Sequence, residues 1–187
     1  MTATATFTAW PKTARLFRGA TVTEKLDGTN AGLHVSASGI VTAQSRKRLI
    51  YPGDDNYGFA AWAAANEAEL AELLGPGLHF GEWWGKGIGR GYGLSGRRFS
   101  LFNTDAHKDV DLVIGGVPVA PVPVLYQGVY SENAVRIALT LLSELGSAAV
   151  PGYDRPEGVC VWHSQSRRVY KVTLDHQDAG KWEWNRK

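Results

Sequence analysis

The alternation of hydrophobic and polar positions along the chain predicts more strands than helices. The sequence ATVTEKL alternates β-branched and polar residues and leads into Asp27-Gly28, which is typical of a strand that ends in a tight turn. AGLHV and IVTAQSR flank SASG, so we predict a hairpin whose turn uses the permissive backbone of Gly39. Further strands are predicted at LHFGEWW, RRFSLF, DLVI and VPVLYQGV, and two more in EGVCVWHSQSRRVYKVTLD.

Two segments have a helical pattern instead. NYGFAAWAAANEAELAELL predicts one helix that stops at Gly75-Pro76-Gly77, and SENAVRIALTLLSEL predicts another with Ser131 as its N-cap and Gly146 as its end. Because strands outnumber helices and most loops have hairpin length, we expect an α+β fold with mostly antiparallel sheets and flanking helices. The 187 residues fit a single domain spanning residues 1–187.

Composition excludes several classes of protein. With 44% hydrophobic and 20% charged residues, the chain has the composition of a globular protein and not of a disordered one. Cys160 is the only cysteine, which excludes a disulfide framework and a cysteine-rich zinc site. No long apolar stretch or export leader is present, so we expect no membrane insertion and a cytoplasmic protein. Because the net charge is only +2, a surface that binds polyanions must come from local clusters of basic residues.

The commonest catalytic motifs are missing or occur in the wrong context. Gly91, Gly93 and Gly96 match G-x-G-x-x-G, but a dinucleotide-binding loop must open a helix, and the strand-like RRFSLF follows instead. The five histidines lack the H-E-x-x-H spacing, and neither G-x-S-x-G nor a Walker-type phosphate loop is present. The sequence therefore gives little support to hydrolase or P-loop chemistry.

Several charged residues lie at the ends or on the faces of predicted strands. Lys25 precedes the turn DGTN, and Lys171 lies on the last predicted strand. Two lysines suit the phosphates of a nucleoside triphosphate, and carboxylates such as Glu82 and Glu157 suit a metal ion and ribose hydroxyls. Taken singly, each of these residues is more often a solvated surface charge than part of a site. Lys25, between two acidic residues, would then be part of a surface ion pair.

The order of these motifs resembles that of the covalent nucleotidyltransferases, and most closely the ATP-dependent RNA ligases of phages and bacteria. EKLDGTN resembles the nucleophile motif K-x-D/H-G, SRKR the next motif, and FGEWWG the glutamate motif. FSLFNTDA is similar to the aromatic-rich strand ending in Asp, PEGVCVW to the Glu-Gly motif, and VYKVTL to the final lysine motif. A K-x-D-G match alone is weak, whereas six motifs in order are specific. The resemblance implies the ligase adenylation fold, which is unrelated to ATP-grasp, with ATP in a cleft between sheets.

The resemblance also implies roles for individual residues. Lys25 would attack the α-phosphate of ATP and carry AMP, while Lys171 would neutralise the charge that grows on that phosphate. Glu82 would accept hydrogen bonds from ribose hydroxyls, and Mg²⁺ or Mn²⁺ would be bound by Glu157 and Asp27. The full set of implied nucleotide-binding residues is Glu24, Lys25, Asn30, Arg46, Glu82, Phe102, Glu157 and Lys171.

Some implied contacts depart from the family pattern. Arg46 and Asn30 are implied in phosphate contacts, including the 5'-phosphate of RNA. Relatives often have an aromatic residue that stacks on adenine where this chain has Thr104, and Phe102 on the same predicted strand face is the substitute. The second lysine that relatives often have in the last motif is missing. Candidates to replace its phosphate contact are Lys47, Arg48 and Arg168.

The acidic neighbours of the implied nucleophile pose a problem for its chemistry. A protonated lysine cannot attack phosphorus, so Lys25 must lose its proton before it reacts. Glu24 and Asp27 would oppose this loss if their carboxylates stood close to the amine. We therefore expect both carboxylates to be turned aside or engaged by metal and water.

The expected substrate follows from the same resemblance. The chain ends soon after the last motif, so we expect neither an OB domain nor another C-terminal domain, and this favours RNA ends or nicks in RNA-containing duplexes over duplex DNA. The residues predicted to contact RNA phosphates are Arg46, Lys86, Arg90, Arg97 and Arg98. Trp83, Trp84 and Tyr92 would stack on bases, unless their rings belong to the core.

Alternatives to RNA end joining stay open at this point. The chain could be another polynucleotide ligase or nucleotidyltransferase that acts on nicked DNA or RNA, or an enzyme that stops after nucleotide transfer, as a capping guanylyltransferase does. It could also be a non-catalytic module that binds RNA ends, although such a module has no need of Lys25. We expect a monomeric RNA repair enzyme in the cytoplasm, which would be the host cytoplasm if a phage encodes it.

Overall fold

The computed structural model describes residues 6–175, which form two β-sheets and three α-helices. The strands are β1 (Gly19–Lys25), β2 (Thr29–Val35), β3 (Val41–Ser45), β4 (Gly77–Gly85), β5 (Arg97–Leu101), β6 (Leu112–Ile114), β7 (Val117–Pro121), β8 (Val124–Val129), β9 (Gly158–His163) and β10 (Arg168–Thr173). The α-helices are α1 (Phe59–Ala65), α2 (Glu67–Leu74) and α3 (Glu132–Leu145). The predicted α+β fold with mostly antiparallel sheets is confirmed, and among the described strands only β5 and β7 pair in parallel.

The larger sheet has six strands in the order β3-β2-β4-β5-β7-β6 and packs one face against α1 and α2. Aromatic rings make this contact. The Phe59 ring lies 5.1 Å from Phe99 and 5.4 Å from Trp83 between centroids, and Trp62 stacks on Trp83 at 5.3 Å. Rings of this size bury large apolar areas, so this cluster forms the main core.

The smaller sheet has four strands in the order β10-β9-β1-β8 and packs one face against α3. Ala20 and Val22 of β1 contact the apolar stripe of α3, which includes Val135 and Leu142. Because side chains alternate along a strand, Thr21 between these two residues and Lys25 further along β1 point to the opposite face. That opposite face therefore carries Lys25.

The turn from Leu26 to Gly28 carries the chain from β1 of the smaller sheet to β2 of the larger one. A Cβ on Gly28 would lie 2.5 Å from the Trp83 carbonyl oxygen and 2.6 Å from the Trp84 Cβ, so only glycine allows this close approach. Asp105 links the sheets a second time, because it accepts a hydrogen bond from Gln127 Nε2 on β8 at 2.9 Å. The end of β1 is therefore fixed where the two sheets meet.

The first predicted helix is in fact two helices. Asn66, with φ of −123°, separates α1 from α2 and donates a hydrogen bond from its side chain to the Trp62 carbonyl at 2.7 Å. A Cβ on Gly115 would lie 2.4 Å from the Asn66 side chain, so the β6–β7 turn packs directly on this break. Both helices contribute buried residues to the core on this sheet. The predicted start and end of the second helix are confirmed, since Ser131 caps α3 and Gly146 follows it.

Two strand predictions differ from the structure. Strand β7 was not predicted, because Pro118 and Pro121 interrupt its sequence pattern and proline lacks the N–H of a central strand. Strand β5 ends at Leu101, so Phe102 and Thr104 do not share a strand face as expected. None of the described helices is long and apolar enough to cross a membrane.

Candidate active site

Lys25 ends β1 at the junction of the two sheets and is partly buried. Its Nζ lies 2.6 Å from Oε2 of Glu157, and both side chains are about four-fifths buried, with 22% and 19% of their surface exposed. Glu157 immediately precedes β9, whose first residue Gly158 pairs with Lys25. Strand pairing therefore brings together two charges that are 132 residues apart in the sequence.

Glu24 is turned away from the amine of Lys25. It lies on the opposite face of β1 at 1% exposure, where it accepts hydrogen bonds from Ser147 Oγ at 2.6 Å and from the Ala149 N–H at 2.9 Å. Burial raises the pKa of Glu24, while these hydrogen bonds act in the opposite direction. The structure thus does not bring the Glu24 carboxylate to the nucleotide site implied by the sequence motifs.

Asp27 is also turned aside, and its partner is Arg90. Its Oδ2 accepts a hydrogen bond from the Arg90 N–H at 3.0 Å and lies 3.5 Å from Arg90 Nε. The geometry agrees with the expectation that both acidic neighbours of Lys25 are turned aside, because protein groups engage each carboxylate. The carboxylate nearest to the amine is that of Glu157, which sequence proximity could not reveal.

Glu82 on β4 faces the same junction from the larger sheet. It is buried, and burial raises its pKa to about 7 against the opposing effects of the Asn30 hydrogen bond, the charge of Lys25 and the Gly28 N–H. Asn30 Nδ2 donates to Glu82 Oε2 at 2.9 Å. Asn30, which the motifs implied in phosphate contacts, is therefore engaged with Glu82 and holds its carboxylate in place.

Lys171 lies on the same face of the smaller sheet as Lys25. It pairs with Cys160 on β9, which pairs with Thr23 on β1, so the two lysines stand two strands apart. Neighbouring strands are about 4.8 Å apart, which puts the lysine-bearing strands roughly 10 Å from each other. Lys171 is exposed, whereas burial raises the pKa of the Cys160 thiol between them. This face of the sheet thus presents two cations, with the small, uncharged side chain of Cys160 between them.

Two exposed rings face the junction from the larger sheet. Phe80 lies two residues before Glu82 and shares its face of β4, and Phe102 donates its N–H to the Phe80 carbonyl at 2.9 Å. A Cβ on Gly32 would lie 3.1 Å from the Phe80 ring, so the glycine leaves room for it. Phe80 was missed in the sequence, where the alternation of FGEWW with Glu82 could have indicated it.

The glycine-rich segment, residues 85–96, holds the turn that follows Lys25. A Cβ on Gly89 would lie 2.7 Å from the Asp27 carboxyl carbon, so glycine allows this contact. The Asp27 N–H donates to the hydroxyl of Tyr92 at 2.9 Å. Arg90 also pairs with Asp175 after β10 and donates to the Arg155 carbonyl at 3.2 Å. This segment therefore ties the turn after Lys25 to the end of the strand that carries Lys171.

The predicted stacking of RNA bases on Trp83, Trp84 and Tyr92 is wrong. All three rings are at most 2% exposed, because Trp83 belongs to the main core and Trp84 and Tyr92 belong to a third apolar cluster under the turn after β1. Trp83 Nε1 donates to the Tyr57 carbonyl at 3.0 Å, and Trp84 Nε1 to Ser100 Oγ at 2.9 Å. The alternative that these rings belong to the core is the correct one.

Three of the five predicted RNA-contacting residues have partners inside the protein, and the other two are exposed. Arg97 donates to the Tyr57 carbonyl, and Arg98 donates to the Ala149 carbonyl at 3.1 Å and lies over the Trp84 ring. Together with Arg90, these guanidinium groups have partners inside the protein. Lys86 and Arg46 are exposed, the latter directly after β3.

The carboxylates around Lys25 suit a divalent cation that is shared with a substrate. Within residues 6–175, no cluster of three or more His, Cys, Asp or Glu side chains could hold a metal ion by itself. Mg²⁺ usually takes one or two protein carboxylates, together with water and substrate phosphates. Glu157 fits that limited role, whereas the Asp27 carboxylate is engaged by Arg90.

Comparison with known proteins identifies the fold. The family model described as RNA ligase matches residues 19–173. A mutant of Naegleria gruberi RNA ligase solved with ATP and Mn has 18% identity and a TM-score of 0.56 over 84% of this chain and 50% of its own. Another mutant of that ligase, with AMP and Mn, has 17% identity and a TM-score of 0.54 over 86% and 51%. An archaeal ATP-dependent RNA ligase has 19% identity and a TM-score of 0.54 over 89% and 48%.

The chain thus spans about half the length of these solved structures. No curated protein sequence matches it significantly.

Proposed function

The chain belongs to the RNA ligase family, and on this premise we propose that it joins RNA ends by an ATP-dependent reaction in which Lys25 carries AMP. The observation that carries the proposal is the partly buried Lys25, whose Nζ meets Glu157 at 2.6 Å where the two sheets join. This pair brings an amine and a possible proton acceptor together at the place where the resemblance puts the nucleophile. The solved RNA ligases that bind ATP or AMP with Mn support the choice of nucleotide and of a divalent cation.

In the first step, the neutral amine of Lys25 attacks the α-phosphorus of ATP. A nitrogen–phosphorus bond forms, the bond to the bridging oxygen breaks, and pyrophosphate leaves. Glu157 holds the amine before the attack and is the nearest carboxylate that can accept its proton. Lys171, on the same sheet face, contacts the α-phosphate and neutralises the charge that develops on it. A bound divalent cation, held by Glu157, would shield the triphosphate charge.

The larger sheet supplies the groups that position the nucleoside. Glu82 accepts hydrogen bonds from the ribose hydroxyls, and these donors favour its ionised form and oppose the burial that raises its pKa to about 7. Phe80 and Phe102 offer exposed rings for adenine. Asn30 acts through Glu82, since it fixes that carboxylate by a hydrogen bond.

The remaining steps transfer AMP to RNA and release it. The 5'-phosphate of an RNA strand attacks the lysyl phosphoramidate, so that the nitrogen–phosphorus bond breaks and Lys25 is regenerated. The 3'-hydroxyl of a second end then attacks the RNA 5'-phosphorus, and AMP leaves. Action on RNA ends in the cytoplasm, and as a monomer, stays a prediction.

Labelling tests the proposal directly. Protein incubated with α-labelled ATP and Mg²⁺ or Mn²⁺ and then denatured should carry label, and Lys25→Ala should carry none. Lys108→Ala, an exposed lysine outside the site, is the matched control and should be labelled normally. Unlabelled wild-type protein would favour the non-catalytic RNA-binding module, and label in Lys25→Ala would identify another nucleophile.

The RNA preference needs a separate test. Nicked duplexes that differ only in whether the nicked strand is RNA or DNA should be sealed at different rates, faster for RNA. Equal rates would favour a general polynucleotide ligase. Label on the protein without any sealing would favour an enzyme that stops after nucleotide transfer.

A further inference from the structure

Two segments of the chain each carry three basic residues and no acidic residue. Residues 6–23 contain Lys12, Arg15 and Arg18, and residues 158–174 contain Arg167, Arg168 and Lys171. The rest of the chain contains the other 14 basic residues and all 18 acidic residues. It is therefore negative, although the whole chain has a net charge of +2. A local field of this kind attracts polyanions.

The structure places these two segments side by side. The Arg15 N–H donates to Gln165 Oε1 at 2.6 Å, and the Ser164 N–H donates to the Gly19 carbonyl at 2.8 Å. His163 Nε2 lies 2.7 Å from the Leu16 carbonyl oxygen. Three contacts therefore fix the stretch before β1 against the turn between β9 and β10, and the six cations belong to one region of the molecule.

Aromatic rings are exposed among these cations. We call residues 6–18, which belong to no helix or strand, the aromatic arm. Phe7 is 89% exposed, Trp10 is 90% exposed and Phe17 is 69% exposed, although rings of this size are usually buried. Single-stranded nucleic acids are bound by this combination, in which cations meet phosphates and rings stack on bases.

The sheet face beside the arm leads to the nucleophile. Trp162 on β9 pairs with Thr21 of β1 and Val169 of β10, and its ring is exposed. These residues share their face with Lys171 and Lys25, so the exposed surface continues along the sheet towards the amine. Strand β1 spans about 20 Å from the arm to Lys25, at roughly 3.3 Å per residue.

We propose that the aromatic arm and the β9–β10 turn bind a single strand of RNA and guide its end along the smaller sheet to Lys25. The proposal rests on the proposed function, which supplies the reason for an RNA end to reach the lysine. The six cations favour a polyanionic partner. Because the exposed surface continues along the sheet to the reacting amine, we infer that this partner is RNA and not an anionic membrane. This surface replaces the glycine-rich segment as the RNA-binding region.

Salt-dependent binding of a short 5'-phosphorylated single-stranded RNA tests the surface. Loss of two phosphate contacts should reduce the slope of log affinity against log salt by about 1.4, because each contact to a single strand contributes about 0.7. We expect this for Arg15→Gln/Arg18→Gln. Lys108→Gln/Arg136→Gln removes the same charge from exposed sites elsewhere and should leave the slope unchanged. Trp10→Ala should weaken binding about tenfold through the lost stacking.

Formation of lysyl-AMP from ATP alone separates this proposal from the proposed function. The arm variants should form lysyl-AMP at the wild-type rate while they bind RNA weakly. Equal salt slopes and affinities for the arm variants and the control pair would overturn the inference and leave the ligase function intact. Wild-type protein that binds RNA through the arm without forming lysyl-AMP would refute the ligase function instead. Arm-dependent binding to phosphatidylserine vesicles, without RNA binding, would identify the arm as a membrane-binding segment and overturn the inference.

Discussion

The glycine-rich segment and the aromatic arm look alike in sequence and differ in structure. Both place arginines and lysines among aromatic residues. In and beside the glycine-rich segment, Trp84 and Tyr92 are buried, and Arg90 is paired with two carboxylates. In the aromatic arm, Trp10 is almost fully exposed, and Arg18 is exposed. A basic, aromatic composition therefore indicates nucleic-acid binding only where the rings and charges have no partners inside the protein.

The largest effect is expected from removal of a buried ring beside the glycine-rich segment. Trp84→Ala should lower the free energy of unfolding by about 3–5 kcal/mol, because it leaves a cavity beneath the turn that follows Lys25. Denaturant unfolding measures the loss. A change as small as that expected for a surface residue would mean that the ring is not part of the core.

The pH dependence of stability gives the next largest effect. Glu82 adjoins the glycine-rich region, and burial raises its pKa from 4.5 to about 7. Between these pH values the folded protein binds more protons than the unfolded chain, so this contribution to stability is complete below pH 4.5 and is lost as the pH rises through 7. The loss amounts to about 3 kcal/mol at most.

Glu82→Gln should remove this dependence. The difference in unfolding free energy between the variant and the wild type should then change with pH from about 4.5 to about 7, and the other titrating groups cancel in that difference. Glu132→Gln, an exposed glutamate, serves as the control and should give a difference that hardly varies. If the difference for Glu82→Gln also stays constant with pH, burial does not raise the pKa of Glu82.

Arg90 tests whether the paired charges of the buried region matter more than an exposed pair. Arg90→Ala should cost about 1–2 kcal/mol of unfolding free energy, since Asp27 and Asp175 lose a charged hydrogen-bond partner. It should also slow lysyl-AMP formation about tenfold, because the turn after Lys25 is held less firmly. Arg48→Ala breaks an exposed pair with Asp54 and should cost under about 1 kcal/mol of unfolding free energy. If both variants lose the same unfolding free energy, the pairs of Arg90 contribute no more to stability than an exposed pair.

The smallest effect on stability is expected in the arm. Trp10→Ala should change the unfolding free energy by less than about 0.5 kcal/mol, because the ring has almost no contacts to lose. A loss comparable to that of Trp84→Ala would show that the arm packs against the protein, and the contrast between the two regions would disappear.

Sequence periodicity was sufficient for most of the fold and for part of the site. The strands around Lys25, Glu82 and Lys171 were predicted because alternation is a local property of the chain. The break at Asn66 was not, since it depends on packing against a distant turn. The pairing of Lys25 with Glu157 also depends on the register of β1 and β9, which are far apart in the sequence. The local sequence around either residue therefore does not indicate its partner.

The burial of the tryptophans and the pairing of Arg90 could not be predicted for the same reason. Trp83 and Trp84 are neighbours in a strand, so alternation predicts that one faces the core and the other the cleft. A third apolar cluster under the turn, which includes Leu26 and Tyr92, covers the second ring. That cluster forms only when the glycine-rich segment folds back onto β1.

The alternation of Glu24 and Lys25 along β1 also bears on the fidelity of folding. A slip of β1 by one residue against β9 would exchange the two faces of the strand. The carboxylate would then stand in the cleft and the ammonium in the apolar space beside Ser147. Such a chain would present the opposite charge to ATP, so the hydrogen bonds that hold Glu24 in place also protect against an inactive misfolded form.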